Sequence, residues 1–179
     1  ISNADDNLTN NNATKNISID FHLVLNEIMY NPPAEIGSDT DFEWLEIHNN
    51  ASYSENLTGW FLQCDNKLKT LGGNLGSGSF LVFAKDVTKF YTYYSKSIAT
   101  ESETCSFNNA GDTIKLIFNS SGTYNEESVT YSPSWGGDGT GYTLEKINPN
   151  TNNAANNWAE SKTYAGTSGQ KNNPDNQIK

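Results

Sequence analysis

The sequence predicts an all-β fold, a sandwich of about eight short strands with one short helix and polar tails. Apolar and polar residues alternate in short runs along the chain. Turn-forming residues separate these runs at intervals of about 8–12 residues, which is the spacing expected for a sandwich. Apolar residues recur at helical spacing in one segment only.

The first half of the chain contains five candidate strands. Residues 23–29 are strongly apolar, and Pro32 and Pro33 follow them. Proline ends a strand because it cannot donate a hydrogen bond to the ladder. Residues 42–48 alternate with one slip, which we interpret as a β-bulge. The five candidate strands cover residues 23–29, 42–48, 60–64, 67–71 and 80–83.

The only predicted helix covers residues 86–94. Asp86 is a suitable N-cap, and Val87, Phe90 and Tyr94 recur at helical spacing. The second half then repeats the strand pattern of the first half. Its candidate strands cover residues 113–118, a segment that ends at 129–131, and residues 142–147.

The composition divides the chain into three parts. Residues 1–20 are polar, acidic and rich in Asn, and a segment of this composition cannot fold alone. Residues 21–173 carry the sandwich pattern, and residues 174–179 form a short C-terminal tail. With 179 residues in total, the chain is long enough for one domain with its own core.

The charge of the chain argues against several classes of function. It has 21 acidic and 11 basic residues, a formal net charge of -10, and no Arg. Phosphates would repel such a chain, so we expect no nucleic-acid partner. No apolar run approaches the ~20 residues of a membrane span, so we expect no membrane insertion. Two His and two Cys are too few for a zinc-finger or iron–sulfur scaffold.

Three features favour an extracellular or cell-surface location. The chain starts with Ile1, as a processed protein does. Cys64 and Cys105 form an even pair that a disulfide could join, the alternative being two unrelated buried thiols. Glycans are possible partners, although a chain this rich in Asn, Ser and Thr contains several sequons by chance. The six Asn-x-Ser/Thr sequons begin at Asn7, Asn12, Asn16, Asn50, Asn56 and Asn119.

Several motifs occur in the order found in one known family. Together they resemble the lamin tail domain, over about residues 23–173. The resemblance implies an immunoglobulin-like β-sandwich, a domain of nuclear lamins and of many secreted bacterial and archaeal proteins. The Asn-rich leader, the Cys pair and the absence of Arg favour a prokaryotic surface protein. The motifs are Leu-Asn-Glu-Ile-Met-Tyr-Asn-Pro from Leu25, Glu-Trp-Leu-Glu-Ile-His-Asn from Glu43, Leu-Thr-Gly-Trp from Leu57, Asn-Ala-Gly-Asp-Thr-Ile-Lys-Leu from Asn109, Gly-Tyr-Thr-Leu-Glu-Lys from Gly141, Asn157-Trp158, Gly169 and Asn172.

The residue types in these motifs also have a direct physical interpretation. We expect the large rings of Trp44, Trp60 and Trp158 to be core anchors. Glu27, Glu43 and Glu46 are expected at solvated sheet positions, with inward-facing, hydrogen-bonded positions as the alternative. Asn26 and Asn49 are expected to bond turn backbone.

No constellation of residues predicts catalysis. His22 and His48 have no nucleophile in a recognisable local motif. A structural Ca²⁺ is the one cofactor that the sequence suggests, because alternating carboxylates in a loop are hard oxygen ligands. Solvated loop acids are the alternative. The candidate ligands are Asp39, Asp41 and Glu43, with Glu35 close by, and Asp138 in a Gly-rich stretch as a second cluster.

Two main functions remain open, and an accessory domain of an enzyme is a third class. Ile17, Ile19, Phe21 and Leu23 alternate like a strand that could add to the sheet edge of a neighbouring copy. Repeated head to tail, this addition builds a filament or surface layer by self-association; alternatively, the segment pairs within its own sandwich. The second function is a monomeric adhesion or carbohydrate-binding module. Exposed aromatic side chains would then stack on sugars, with Tyr91, Tyr93, Tyr94 and Trp135 as candidates.

Overall fold

The computed structural model describes residues 22–94, 98, 100–102, 105–120 and 123–175 of the chain. Twelve strands in these ranges form a six-stranded, a four-stranded and a small two-stranded sheet. The two larger sheets pack as a sandwich, as the sequence predicts. The strands are β1 (Leu23–Met29), β2 (Trp44–Asn49), β3 (Glu55–Asn56), β4 (Trp60–Cys64), β5 (Lys67–Thr70), β6 (Asn74–Leu75), β7 (Phe80–Ala84), β8 (Thr100–Ser102), β9 (Thr113–Ser120), β10 (Thr123–Thr130), β11 (Tyr142–Lys146) and β12 (Trp158–Tyr164).

Two α-helices lie in the described ranges. Helix α2 (Val87–Tyr94) is close to the predicted one, and the Asp86 carboxylate accepts a hydrogen bond from the Lys89 backbone N–H at 3.0 Å. Helix α1 (Asp39–Phe42) is a single turn that the sequence pattern does not predict. Two short 3₁₀ helices, Pro133–Trp135 and Ala155–Asn157, complete the helical structure of these ranges.

The strand order defines the two layers of the sandwich. The six-stranded sheet has the order β12-β11-β1-β2-β7-β8, and the four-stranded sheet has the order β10-β9-β4-β5. All pairs in these sheets are antiparallel except β7 with β8. Apolar side chains from both sheets meet between the layers and form the main core, which includes Leu25, Ile47, Trp60, Leu116 and Trp158.

A second apolar cluster covers the outer face of the six-stranded sheet. Trp44 and Val82 lie on the strands of this face, and Phe90 of α2 packs against them. Because β2 is covered on both faces, its buried residues do not alternate strictly. This explains why apolar and polar residues fail to alternate at one point in residues 42–48, and the predicted β-bulge in this strand is wrong. The irregular register lies in β1 instead, between Leu25 and Glu27.

Leu23 belongs to β1 of the chain's own sheet, where it is fully buried and pairs with Asn49. It therefore cannot take part in an exchanged strand, and the prediction is wrong for this residue. The other three residues of that predicted strand, Ile17, Ile19 and Phe21, lie outside the described ranges.

Candidate functional site

Strand β10 forms an edge of the four-stranded sheet. It pairs with β9 in unbroken register along all eight of its residues. On its other side, the Ser128 carbonyl oxygen accepts a hydrogen bond from the Asn153 side chain at 3.0 Å. Backbone groups of alternate residues point to the same side of a strand, so Tyr124 and Glu126 also direct theirs outward. A row of main-chain donors and acceptors is thus presented at this edge.

The remaining edges of the two large sheets are short or covered in the described part of the chain. β8 has three residues and β5 has four, two of them Lys, a residue that protects sheet edges. The C-terminal segment covers β12. There the Lys162 N–H donates to Asn173 at 3.3 Å, and the Asp175 N–H donates to Glu160 at 2.7 Å. Strand β10 is therefore the longest edge among the described residues that no other strand or backbone segment pairs, and Asn153 covers it only at Ser128.

The start of β1 lies beside β10. The Leu25 N–H donates to Glu127 of β10 at 3.3 Å, which ties the two sheets together at this point. Glu127 also forms an ion pair with Lys146 at 2.7 Å, and both side chains are buried. A cavity of about 420 Å³ opens next to this junction, lined by Val24, residues 126–128, Lys146 and residues 149–153. The described start of β1 consequently lies close to the outer edge of β10.

The comparison with protein families identifies the fold. A family model described as "Lamin Tail Domain" matches residues 20–133, more than half of the chain. The chain belongs to the lamin tail domain family. The match begins just before β1 and ends after β10, so it contains both elements of the junction. A comparison with curated proteins finds none that matches.

Membership of the lamin tail domain family indicates a non-catalytic immunoglobulin-like domain. No helix in the described ranges combines the length and the apolar character that a membrane crossing requires.

The Cys pair of this lamin tail domain forms the predicted disulfide. Cys64 ends β4, and Cys105 follows β8, with 5.7 Å between their Cα atoms. Both half-cystines are buried in the main core. The alternative of two unrelated thiols is therefore wrong.

The predicted calcium ligands lie apart or have other partners. Asp41 forms an ion pair with Lys89 at 2.7 Å, and hydrogen bonds from Lys89 and Ser38 lower the pKa of its carboxyl. Asp39 accepts from Asn109, and Asp138 accepts from Asn31. No three His, Cys, Asp or Glu side chains form a metal-binding group in the described ranges.

Glu43 is buried beside the core instead of serving as a loop ligand. Its carboxylate accepts a hydrogen bond from the Phe107 backbone N–H at 3.2 Å, and its side chain is 2% exposed. Burial raises the pKa of Glu43 to about 7.

The Asn residues of three sequons lie in the described ranges, and Asn7, Asn12 and Asn16 lie outside them. The Asn50 side chain donates to Asn150 at 2.7 Å on the surface. Asn56 accepts from the Thr58 N–H at 2.9 Å, in a turn. Asn119 is an exposed residue of β9.

The aromatic side chains predicted to stack on sugars divide into two groups. Tyr91 and Tyr93 on α2 are 39% exposed. Tyr94 packs on Phe90 and accepts a hydrogen bond from the Trp44 indole, so its expected exposure is wrong. Trp135 is half-buried against the main core.

Sequence reasoning missed a row of three buried carboxylates. Glu145, Glu27 and Glu46 lie opposite one another on β11, β1 and β2. We call them the carboxylate row. All three are fully buried, so the expected solvated positions of Glu27 and Glu46 are wrong, and the alternative of hydrogen-bonded carboxylates holds for both. The sequence did contain one signal for this burial. Residues 23–29 carry apolar side chains at both odd and even positions, which indicates a strand that is covered on both faces.

The C-terminal segment, residues 165–173, covers the carboxylate row. Its backbone N–H groups at Thr167, Gly169 and Asn173 donate one hydrogen bond to each carboxylate, at 2.7, 2.5 and 2.7 Å respectively. Because a buried carboxylate is stable only with hydrogen-bond partners, the row and the segment require each other.

Two Asn side chains near the carboxylate row differ in their hydrogen-bond partners. Asn26 donates to Glu46 at 2.8 Å and to Asn172 at 2.9 Å, so it bonds side chains and not the expected turn backbone. Asn49 does bond turn backbone, at Leu75 and Gly76 among others.

Proposed function

We propose that this lamin tail domain is a non-catalytic structural subunit of an extracellular filament or surface layer. Residues 17–21 of one copy add as a strand to the outer edge of β10 in the next copy. The observation that carries the proposal is the edge of β10, which pairs regularly with β9 over eight residues and which no other described strand pairs on its outer side, where Asn153 bonds the Ser128 carbonyl. Such an edge accepts an extended segment through main-chain hydrogen bonds.

The donor segment is supported by its sequence and by its position. Ile17, Ile19 and Phe21 alternate with Ser18 and Asp20, so one face of an extended segment would be apolar. This apolar face can pack against the acceptor while the backbone pairs with β10. The segment precedes β1 directly, and it lies outside the described ranges.

The geometry of exchange favours an open polymer. The donor segment and the acceptor edge are different parts of the same chain, so the contact between two copies is heterologous. A heterologous contact that does not close into a ring repeats into a filament. The Cys64–Cys105 disulfide supports an oxidising, extracellular compartment, where such bonds persist.

Light scattering and negative-stain microscopy of the full chain test the proposal. We expect fibres, and we expect deletion of residues 1–21 to give monomers. A second variant, Glu126→Pro, removes an outward N–H from the β10 edge without removing a bond to β9. Its matched control, Glu126→Ala, keeps that N–H. Fibres from Glu126→Ala but not from Glu126→Pro support addition at β10, whereas a monomeric full chain overturns the proposal.

A further inference from the structure

A second cavity lies on the outer face of the six-stranded sheet. It has a volume of about 400 Å³ and crosses β11, β1, β2 and β7. His48 of β2 and Phe80 of β7 pair across the strands, and their rings stack with centroids 4.5 Å apart and planes 17° apart. Both rings line the cavity, which we call the His48–Phe80 pocket.

The polar groups of the His48–Phe80 pocket are amides and amines. Asn26, Asn50 and Asn172 line it, together with Lys146 and Lys171. Asn172 donates its amide hydrogens to Asn26 and to the Lys146 carbonyl, and the Lys146 ammonium pairs with Glu127. Asn50 and Lys171 are therefore the groups available to a ligand. Small-molecule sites combine an apolar or aromatic surface with a few polar groups that orient the ligand, in cavities of roughly 300–1,000 Å³. The pocket has this combination.

The charge of the pocket differs from that of the whole chain. The chain has 21 acidic residues, yet none of the described residues that line the pocket is Asp or Glu. Lys171 is exposed and has no carboxylate partner among the described residues. Burial lowers the pKa of His48, so its imidazole is neutral near pH 7 and acts as an aromatic surface. Lys171 is thus the main charge offered to a ligand.

We propose that the His48–Phe80 pocket binds an acidic sugar, a pyranose that carries a carboxylate. The apolar face of the sugar ring packs on the ring pair, and the Asn50 amide bonds its hydroxyls. The sugar carboxylate forms a charge-assisted hydrogen bond with Lys171. A neutral sugar cannot form the charge-assisted bond with Lys171, and a small inorganic anion has no apolar face that could pack on the ring pair.

This binding site is separate from the proposed assembly surface. The pocket lies on the six-stranded sheet, whereas β10 is an edge of the four-stranded sheet. Deletion of residues 1–21 leaves all the described residues that line the pocket in place. The truncated chain therefore binds the sugar even if the assembly proposal is correct, and also if it is wrong.

A titration of the ¹⁵N-labelled protein with digalacturonate tests the site by NMR, with digalactose as the neutral control sugar. The protein is produced with its disulfide and without glycosylation, so that Asn50 is unmodified. We expect amide shifts at residues 48–50, 78–80 and 171–172, and weaker binding of digalactose. Shifts centred on Tyr91 and Tyr93, or no shifts, would overturn the assignment.

Three variants separate the contacts. Phe80→Leu keeps an apolar side chain but removes the ring, and we expect about tenfold weaker binding of digalacturonate. Lys171→Gln removes the charge, so digalacturonate and digalactose should then bind equally. Lys162→Gln changes a Lys on β12 that does not line the pocket, and it should leave both affinities unchanged. Equal losses in the two Lys variants would indicate nonspecific attraction of an anion and would contradict the proposal.

Discussion

Glu27 and Glu145 lie opposite each other on neighbouring strands, and the Thr167 hydroxyl is within hydrogen-bond distance of both carboxyl groups, at 3.3 and 2.7 Å. Burial raises the pKa of Glu27 well above its usual range, and the charges of Glu46 and Glu145 raise it further. Burial also raises the pKa of Glu145. The folded state therefore favours a proton on this pair, and that proton reduces the repulsion between the carboxyl groups that bond the C-terminal segment.

The first prediction concerns the charge of Glu27. Glu27→Gln keeps an oxygen for the Thr143 hydroxyl and the Thr167 N–H, and it is always neutral. We expect its free energy of unfolding to be within about 1 kcal/mol of the wild-type value at pH 5, and higher than the wild-type value at pH 8. Glu27→Ala leaves both donors without a partner and should lose about 3 kcal/mol. Urea unfolding at the two pH values measures this. If Glu27→Gln and Glu27→Ala lost the same free energy of unfolding at pH 8, the claim that the folded state favours a proton on the Glu27–Glu145 pair would be contradicted.

The second prediction concerns the pH dependence that Glu43 contributes. Its folded-state pKa of about 7 lies above the unfolded value of about 4.3. The folded state therefore binds the proton more tightly, so the contribution is complete below the unfolded pKa and is lost as pH rises through about 7. Relative to Glu43→Gln, the wild type should lose stability between pH 4.5 and 8. A wild-type advantage that grows with pH would show that the carboxylate is stabilised as an anion.

The third prediction concerns the disulfide. Cys64 and Cys105 are 41 residues apart in sequence, and a bridge over such a loop stabilises the fold by about 4 kcal/mol in the chain-entropy model. Replacing both residues with Ala should lower the free energy of unfolding by about this amount, because the unfolded chain gains freedom. Reduction of the wild type with dithiothreitol is the control, because it breaks the bridge without removing the sulfur atoms that pack in the core. An unchanged unfolding midpoint after reduction would refute the prediction.

The fourth prediction compares two glycines with similar positive φ angles. Gly166 and Gly73 have φ values of +85° and +79°, where a side chain is strained by about 1–2 kcal/mol. A Cβ on Gly166 would overlap the Glu27 carboxylate and the Thr143 side chain, whereas a Cβ on Gly73 would meet open space. We expect Gly73→Ala to lose only the backbone strain energy, and Gly166→Ala to lose at least about 2 kcal/mol more. Thermal unfolding of both variants measures the difference, and equal losses would show that the carboxylate row tolerates displacement.

The sequence predicted the strands and the helix whose apolar periodicity is visible within a few consecutive residues. The alternation in residues 113–118 lies inside β9, and the spacing of Phe90 and Tyr94 matches α2. Helix α1 has one turn, too short for a periodic pattern. For β10 only its end was predicted, because residues 123–128 are polar, as suits an edge strand.

The candidate sites depended on contacts that are distant in sequence. Glu27 is buried because a segment about 140 residues further along the chain covers it, and no local pattern reports that contact. The His48–Phe80 pocket likewise requires the pairing of β2 with β7 and the return of Lys171. By contrast, Cys64 and Cys105 could be paired from the sequence because no other Cys is present.

The most direct measurement of strand exchange is a cysteine cross-link between two differently tagged copies. One copy carries Ser18→Cys, and the other carries a Cys in place of Tyr124, Glu126 or Ser128, one position at a time. In the proposed pairing Ser18 lies on the same sheet face as these three residues, opposite to the face of the core residue Val129. We expect a covalent dimer of about twice 19.7 kDa at one of these positions, and chains of copies when both cysteines are in the same chain. The contrary result has two parts: the mixture gives no dimer, and the chain that carries both cysteines forms a disulfide within itself. That result would show that the segment pairs with its own sandwich, and it would contradict assembly by exchange.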